Sequence, residues 1–254
     1  MNEPDGFIGA VMAMEGITDA TALLHGQNGC RKGLILSQKM CPRTDRDTDI
    51  PVYNGNPTVP YSNINQGDYT GKSYGKLQKA AQYVADEDYN LTALICSPGI
   101  SIVGDDCARI LRESNMPGDT MVLDSSDMGE NVWTGFDKTI RACLGKVCTE
   151  NLPIRKNTVV VTGLSIMHKD WASFEEELTE MLGAMGLKII CFAGAGCTVQ
   201  DLKDSVGAEY CIDISPEFST ETRSFYKDNG TKVISYGCSP VGFDSVEGFY
   251  RNIT

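Results

Sequence analysis

The groups best suited to chemistry in this chain are its thiols: 10 cysteines stand against 2 histidines in 254 residues. They are Cys30, Cys41, Cys96, Cys107, Cys143, Cys148, Cys191, Cys197, Cys211 and Cys238. Disulfide frameworks belong to short secreted chains with too little core, and this chain is long enough to bury one. The spacing contains no Cys-x-x-Cys, which excludes a zinc ribbon, a thioredoxin-type motif and a bacterial ferredoxin run. So few histidines also argue against a His-rich zinc or non-haem iron site. Two segments stand out: His25-Gly26-Gln27-Asn28-Gly29-Cys30, and Cys96-Ser97-Pro98-Gly99 followed by Gly104-Asp105-Asp106. Gly29 and Gly99 remove side chains beside the thiols, so a bulky inorganic cluster could approach the backbone and accept N–H hydrogen bonds. Thiolates at Cys30 and Cys96 would suit an iron–sulfur cluster, which favours soft ligands. The same pattern also fits two reduced thiols in tight turns.

The elements that must position these thiols alternate along the chain. A short strand over 20–24 runs into the first motif, and a helix over 31–40 follows. Residues 42–74 are rich in Pro, Asn, Asp and Gly, a long irregular segment of the kind that is often functional or faces a partner. Helical spacing of Leu77, Ala80, Ala81 and Val84 predicts a helix over 75–88. A buried strand over Leu91–Cys96 leads into the second motif, then a helix over 105–114, a strand over 121–123 and a helix over Val132–Val147. The polar stretch 149–157 reads as a boundary between an N-terminal α/β domain, residues 1–150, and a second one, residues 151–254. In the second, strands at 159–162, Lys188–Phe192, 210–213 and 233–236 alternate with helices near 171–185, 199–206, 218–228 and 244–253. Thr198 and Asp201 form a capping-box pattern. Short strands separated by helices specify parallel sheets with right-handed crossovers, so the fold class is α/β: two doubly wound, Rossmann-like units with helices on both faces.

Ligands bind such sheets at the carboxyl ends of strands. Cys30 and Cys96 lie at or just past such ends, and Cys197 and Cys238 occupy comparable loops in the second half. Cys191 and Cys211 inside strands, and Cys107, Cys143 and Cys148 on or beside helices, read as small buried hydrophobes. Asp105 and Asp106 read as caps of the helix that follows. His25 reads as a support of its turn, and His168 as solvent-exposed.

Composition narrows the function classes. Lys+Arg 22 against Asp+Glu 34 gives a formal net charge of -12, which repels nucleic acid and anionic membranes. No run approaches the ~18 apolar residues of a membrane span, and the opening MNEPDGFIGAVM lacks the pattern of a signal peptide. The expectation is a cytoplasmic protein.

The two thiol motifs, His-Gly-x-x-Gly-Cys and Cys-Ser-Pro-Gly-x-x-Ile-Val-Gly-Asp-Asp, taken together resemble the nitrogenase component 1 family. That family includes the molybdenum–iron protein subunits and their cofactor-assembly paralogues. It also includes the light-independent protochlorophyllide reductases and the nickel-sirohydrochlorin reductive cyclase. The resemblance continues through Leu123-Asp124 into Gly135-Phe136-Asp137, through Val159-Val160-Val161-Thr162-Gly163, through the helix ending in Met185-Gly186-Leu187, and through Cys238-Ser239-Pro240-Val241-Gly242-Phe243-Asp244.

The resemblance implies an oxidoreductase whose subunits hold an iron–sulfur cluster at an interface, each offering about three cysteines. Cys30 and Cys96 match the second and third. The first falls near Pro4–Gly6, where no cysteine stands and Asp5 is the nearest substitute. A dimer bringing together Cys30 and Cys96 of both chains would complete a four-thiolate site for a [4Fe–4S] cluster. Cys41, Cys197 and Cys238 are weaker candidates; a helical 31–40 would set Cys41 roughly 16 Å from Cys30. The implied donor is an ATP-dependent iron protein, and the implied partner a second, identical or related subunit. Family subunits carry three α/β domains, so the third is expected to be absent here, in a short member or a fragment. The competing readings are a scaffold or assembly protein holding a cluster or tetrapyrrole precursor, and a cluster-free α/β binding module.

Overall fold

The computed structural model describes residues 5–27, 29, 59–101, 103–123, 131–150, 152–237 and 240–253. Helix α1 (Gly6–Glu15) is capped by Asp5, whose side chain accepts the Ile8 N–H. Apart from Glu15 at its end its sequence is apolar all round, and every one of its residues is buried. Strand β1 (Ala20–His25) follows after a tight turn, then helix α2 (Ser73–Ala85), strand β2 (Leu91–Cys96), a single turn α3 (Pro98–Ser101), helix α4 (Cys107–Glu113) and strand β3 (Asp119–Leu123). These strands form a parallel sheet in the order β1-β2-β3, with His25 opposite Cys96 in the last register position.

The long helix α5 (Val132–Val147) leads to the second unit: β4 (Arg155–Thr162), α6 (Trp171–Ala184), β5 (Lys188–Phe192), α7 (Val199–Ser205), β6 (Ala208–Asp213), α8 (Thr220–Asp228), β7 (Lys232–Ser235) and α9 (Phe243–Ile253). Its sheet is parallel in the order β5-β4-β6-β7, so the chain winds outward in both directions from β4. The capping box of Thr198 and Asp201 opens α7 as the sequence pattern requires. Among the described residues no helix is long and apolar enough to cross a membrane.

Strand alternation sorts the first sheet's side chains onto two faces. Ala22, Leu24, Ala93 and Ile95 face α1 and a large core that continues through α5 into the second sheet. Leu23, Leu94 and Cys96 face a smaller core with Leu77 and Ala81 of α2 and Cys107, Ile110 and Leu111 of α4.

Helices α1 and α5 cross almost backbone to backbone. A Cβ on Gly9 would stand 1.8 Å from the Val132 carbonyl oxygen, and one on Gly135 2.0 Å from that of Gly6. Beyond this crossing, the buried Asp137 of α5 accepts the Glu221 and Thr222 N–H groups, capping α8 at 2.7 and 2.9 Å. The turn after α1 is tied to the second unit as well: the Thr18 N–H donates to the Cys197 carbonyl and the Val199 N–H to Asp19.

Candidate functional site

The carboxyl ends of β1 and β2 carry the site. Because the last residues of the two strands pair in register, alternation places the His25 and Cys96 side chains on the α4 face together. An extended segment alongside β1 brings Ser62 in: its N–H donates to the Leu24 carbonyl, and the Ile64 N–H donates to that of Gly26. Gly104, at φ +74, turns the chain so that Asp105 reaches back toward β1 and Asp106 caps α4 through the Arg109 N–H.

His25 is wholly buried between these two arms. Its Nδ1 lies 2.9 Å from Ser62 Oγ and its Nε2 3.0 Å from the Asp105 carboxylate. The Gly26 N–H donates to Ser62 Oγ, leaving the hydroxyl proton for Nδ1, so Nε2 carries the ring proton and donates to Asp105. Burial lowers the pKa of His25 and keeps the ring neutral, although the Asp105 carboxylate pulls the other way. His25 thereby joins the segment ending β1, the segment at residue 62 and the loop after β2.

Beside this bridge, Cys96 Sγ lies 3.4 Å from Cys107 Sγ. Both thiols line a cavity of about 320 Å³ with Asp105 and Asp106 on one part of its wall and Ile100 and Val122 on another. The cavity presents soft sulfur donors in a setting that is apolar except for two carboxylates. Such a donor set suits an iron–sulfur group better than a hard oxygen-seeking cation. Among the described residues, no group of three or more His, Cys, Asp and Glu comes together as one protein would need for a complete metal site.

The other sequence-predicted residues are placed as follows. Gly99 sits on the α3 turn, where a Cβ would stand 3.4 Å from the Tyr69 hydroxyl, itself bonded to Gln27. Gly29 is exposed with open space where a Cβ would go. The Asp5 carboxylate is engaged in capping α1. Cys197 is buried in the turn after β5, its Sγ accepting the Gly194 N–H, in the large core rather than at the cavity. Cys30, Cys41 and Cys238 lie outside the described residues, as do the helix expected over 31–40 and residues 42–58 of the irregular segment.

Cys143, Cys191, Cys211 and the partly buried Cys148 behave as core hydrophobes. Burial pushes Cys148 and Cys211 up to about 12 and Cys143 higher still, while contact with Cys197 and then burial raise Cys191, so all remain thiols. Two expectations need correction. Asp105 does not cap α4 but holds His25. His168 is not solvent-exposed: its Nδ1 accepts the Ser165 N–H at 3.0 Å, its ring packs 4.8 Å from that of Phe218, and burial lowers its pKa.

The sequence pattern favours the core for Cys107; the structure adds its closeness to Cys96. A signal was present: β2 ends and the next helix begins at the same edge of a parallel sheet, and one cysteine closes the strand while another opens the helix.

The fold has solved relatives. The structure titled "Nitrogenase Cp1 at pH 5" superposes with a TM-score of 0.76 at 13% identity, over 99% of this chain and 50% of that one. "Nitrogenase Cp1 at pH 6.5" does so at 0.72 and 15%, over 98% and 48%. The chain therefore spans about half the length of these structures. The model of the family described as nitrogenase component 1 type oxidoreductase matches residues 6–254. Family model, sheet topology and thiol motifs agree, and the chain belongs to the nitrogenase component 1 type oxidoreductase family.

Proposed function

We propose that this chain is a redox subunit that relays electrons through a [4Fe–4S] cluster at a dimer interface. The electrons come from an ATP-dependent iron protein and pass to a substrate or cofactor, in the cytoplasm. The dimer is of identical or related chains, each built of domains 1–150 and 151–254, and each contributes Cys30 and Cys96. The observation that supports this most is the Cys96 thiol at the carboxyl end of β2, on a half-apolar cavity and beside a second thiol.

When bound, such a cluster supplies one-electron transfer and calls for no general acid or base. The chain's own residues hold and shield it. Cys96 would present the thiolate, and the buried Ile100 would limit water at the cavity wall. The His25 bridge to Ser62 and Asp105 keeps the segment ahead of Cys30 in register with the loop that follows Cys96.

The test is anaerobic reconstitution with ferrous iron and sulfide, read by iron content, visible absorption and electron paramagnetic resonance. Roughly four irons per dimer are expected, lost in both Cys30→Ala and Cys96→Ala. Loss only on replacing Cys197 or Cys238 would favour an assembly scaffold instead. A colourless protein under strict anaerobiosis, or monomers that keep the dimer's iron per chain, would sink the interfacial relay.

A further inference from the structure

The Cys96–Cys107 pair carries an inference of its own. The two thiols are 6% and 8% exposed, lie 3.4 Å apart and share one cavity wall, so a small reagent entering the cavity meets both. A disulfide has its sulfurs about 2.0 Å apart, so the pair needs to close by roughly 1.4 Å, less than the motion of a side chain between rotamers. Asp106, not Cys107, supplies the side-chain cap of α4.

We propose that Cys96 and Cys107 form a reversible disulfide, driven by a low-molecular-weight disulfide of the glutathione class. One thiolate attacks the reagent and displaces one reduced thiol; the other then attacks the mixed disulfide and displaces the second. Two S–H bonds are lost and one S–S bond forms in the protein. The two electrons reduce the reagent to two thiols, and the protein's protons are accounted for on those thiols or in solvent.

A sulfur in a disulfide has no thiolate to offer a metal. On the reading that Cys96 holds a cluster, the oxidised pair therefore cannot load it, and loading is gated by the thiol redox state. Cys107 is the resolving thiol that makes this gate reversible.

The test uses the full apo chain, prepared reduced under anaerobic conditions and exposed to oxidised glutathione. Remaining thiols are alkylated with N-ethylmaleimide, and the chain is cut with an Asp-specific protease, which cleaves between the cysteines at Asp105 and Asp106. Expected is a single species in which the Cys96 and Cys107 peptides travel together until dithiothreitol separates them. Full alkylation of either residue, or pairing of either with another cysteine, overturns the proposal. Cys107→Ser, with Cys107→Ala as a second variant and circular dichroism to confirm folding, must stop at Cys96 joined to glutathione, with no disulfide inside the chain.

A second arm adds ferrous iron and sulfide to reduced and oxidised protein. Reduced protein and either Cys107 variant should take up iron, and oxidised wild type at least tenfold less until dithiothreitol restores it. Equal uptake by both wild-type forms overturns the gate. A disulfide that forms in a chain binding no iron in either state upholds the pair and removes the electron-relay reading, so the two failures are distinguishable.

Discussion

His25 Nε2 donates to the Asp105 carboxylate across 3.0 Å, joining the end of β1 to the loop before α4, 80 residues further along the chain. The ring is wholly buried, and Ser62 completes its other side. Removing it leaves a buried hydroxyl and a carboxylate with lost partners. His25→Ala should destabilise the fold by about 2–4 kcal/mol, through unpaired groups and a cavity. Asp105→Asn, which keeps an acceptor, should cost less. Urea midpoints of the two variants at pH 7.5 check the order.

The same ring sets an acid limit on stability. Its folded pKa lies below the ordinary value of 6.5, mainly through burial, so the unfolded chain binds the proton more readily. His25's contribution is complete above that ordinary value and is lost as pH falls below it. A His25→Gln variant should lose less stability between pH 7 and pH 5 than wild type. An equal slope in both would place the acid sensitivity elsewhere.

Glu15 acts in the opposite direction. Burial at the end of α1 raises its carboxyl to about 7, against a partial lowering by a hydrogen bond from Ala22. The folded state keeps the proton that the unfolded state releases near 4.5, so stability falls as pH rises between those values and levels off above about 7. The full cost of ionisation is on the order of 3 kcal/mol. Glu15→Gln should be the more stable protein at pH 8 and differ little at pH 4.5, as read from denaturation at both.

The α1–α5 crossing admits no side chain. A methyl at Gly9 would fall 1.8 Å from a backbone oxygen that belongs to a different helix and cannot rotate away. Gly9→Ala and Gly135→Ala should each cost about 3 kcal/mol or more, beyond the usual range for overpacking because backbones must part. Gly183→Ala on α6, where a Cβ meets nothing within 4 Å, should instead stabilise by about 0.5–1 kcal/mol. Thermal unfolding of the three variants separates a local propensity effect from a crossing effect.

Asp137 links the two units through a cap. It is buried, and each of its oxygens accepts an N–H of the first turn of α8. Asp137→Ala should cost about 2–3 kcal/mol, because a cap is lost and buried donors are left without an acceptor. Hydrogen exchange should show α8 opening first in the variant.

Much of this architecture was legible before the structure. Short apolar runs such as Leu91–Cys96, separated by helical spacing, require parallel strands with crossovers, because only that arrangement covers both faces of the sheet. Local caps were legible too: Thr198 with Asp201, and Asp106 at α4, are pairs three residues apart whose geometry is set by the helix turn itself. Cys191 and Cys211 inside strands and Cys143 inside a helix are core, as their places in the pattern imply. His25 was read as supporting its turn, which it does by a bond to a residue far along the chain.

The missed features share one cause. Cys96 with Cys107, His25 with Ser62 and Asp105, and Gly9 with Val132 are pairings between elements, and no periodicity within an element reports them. By itself the sequence determined the alternation of strand and helix, the motifs at the strand ends and the family they resemble, since these depend on neighbours a few residues away. Only the tertiary structure decided which thiol faces which. That depended on the register that sets His25 opposite Cys96 and on the docking of α4 against that edge, and both are fixed by packing across the whole sheet.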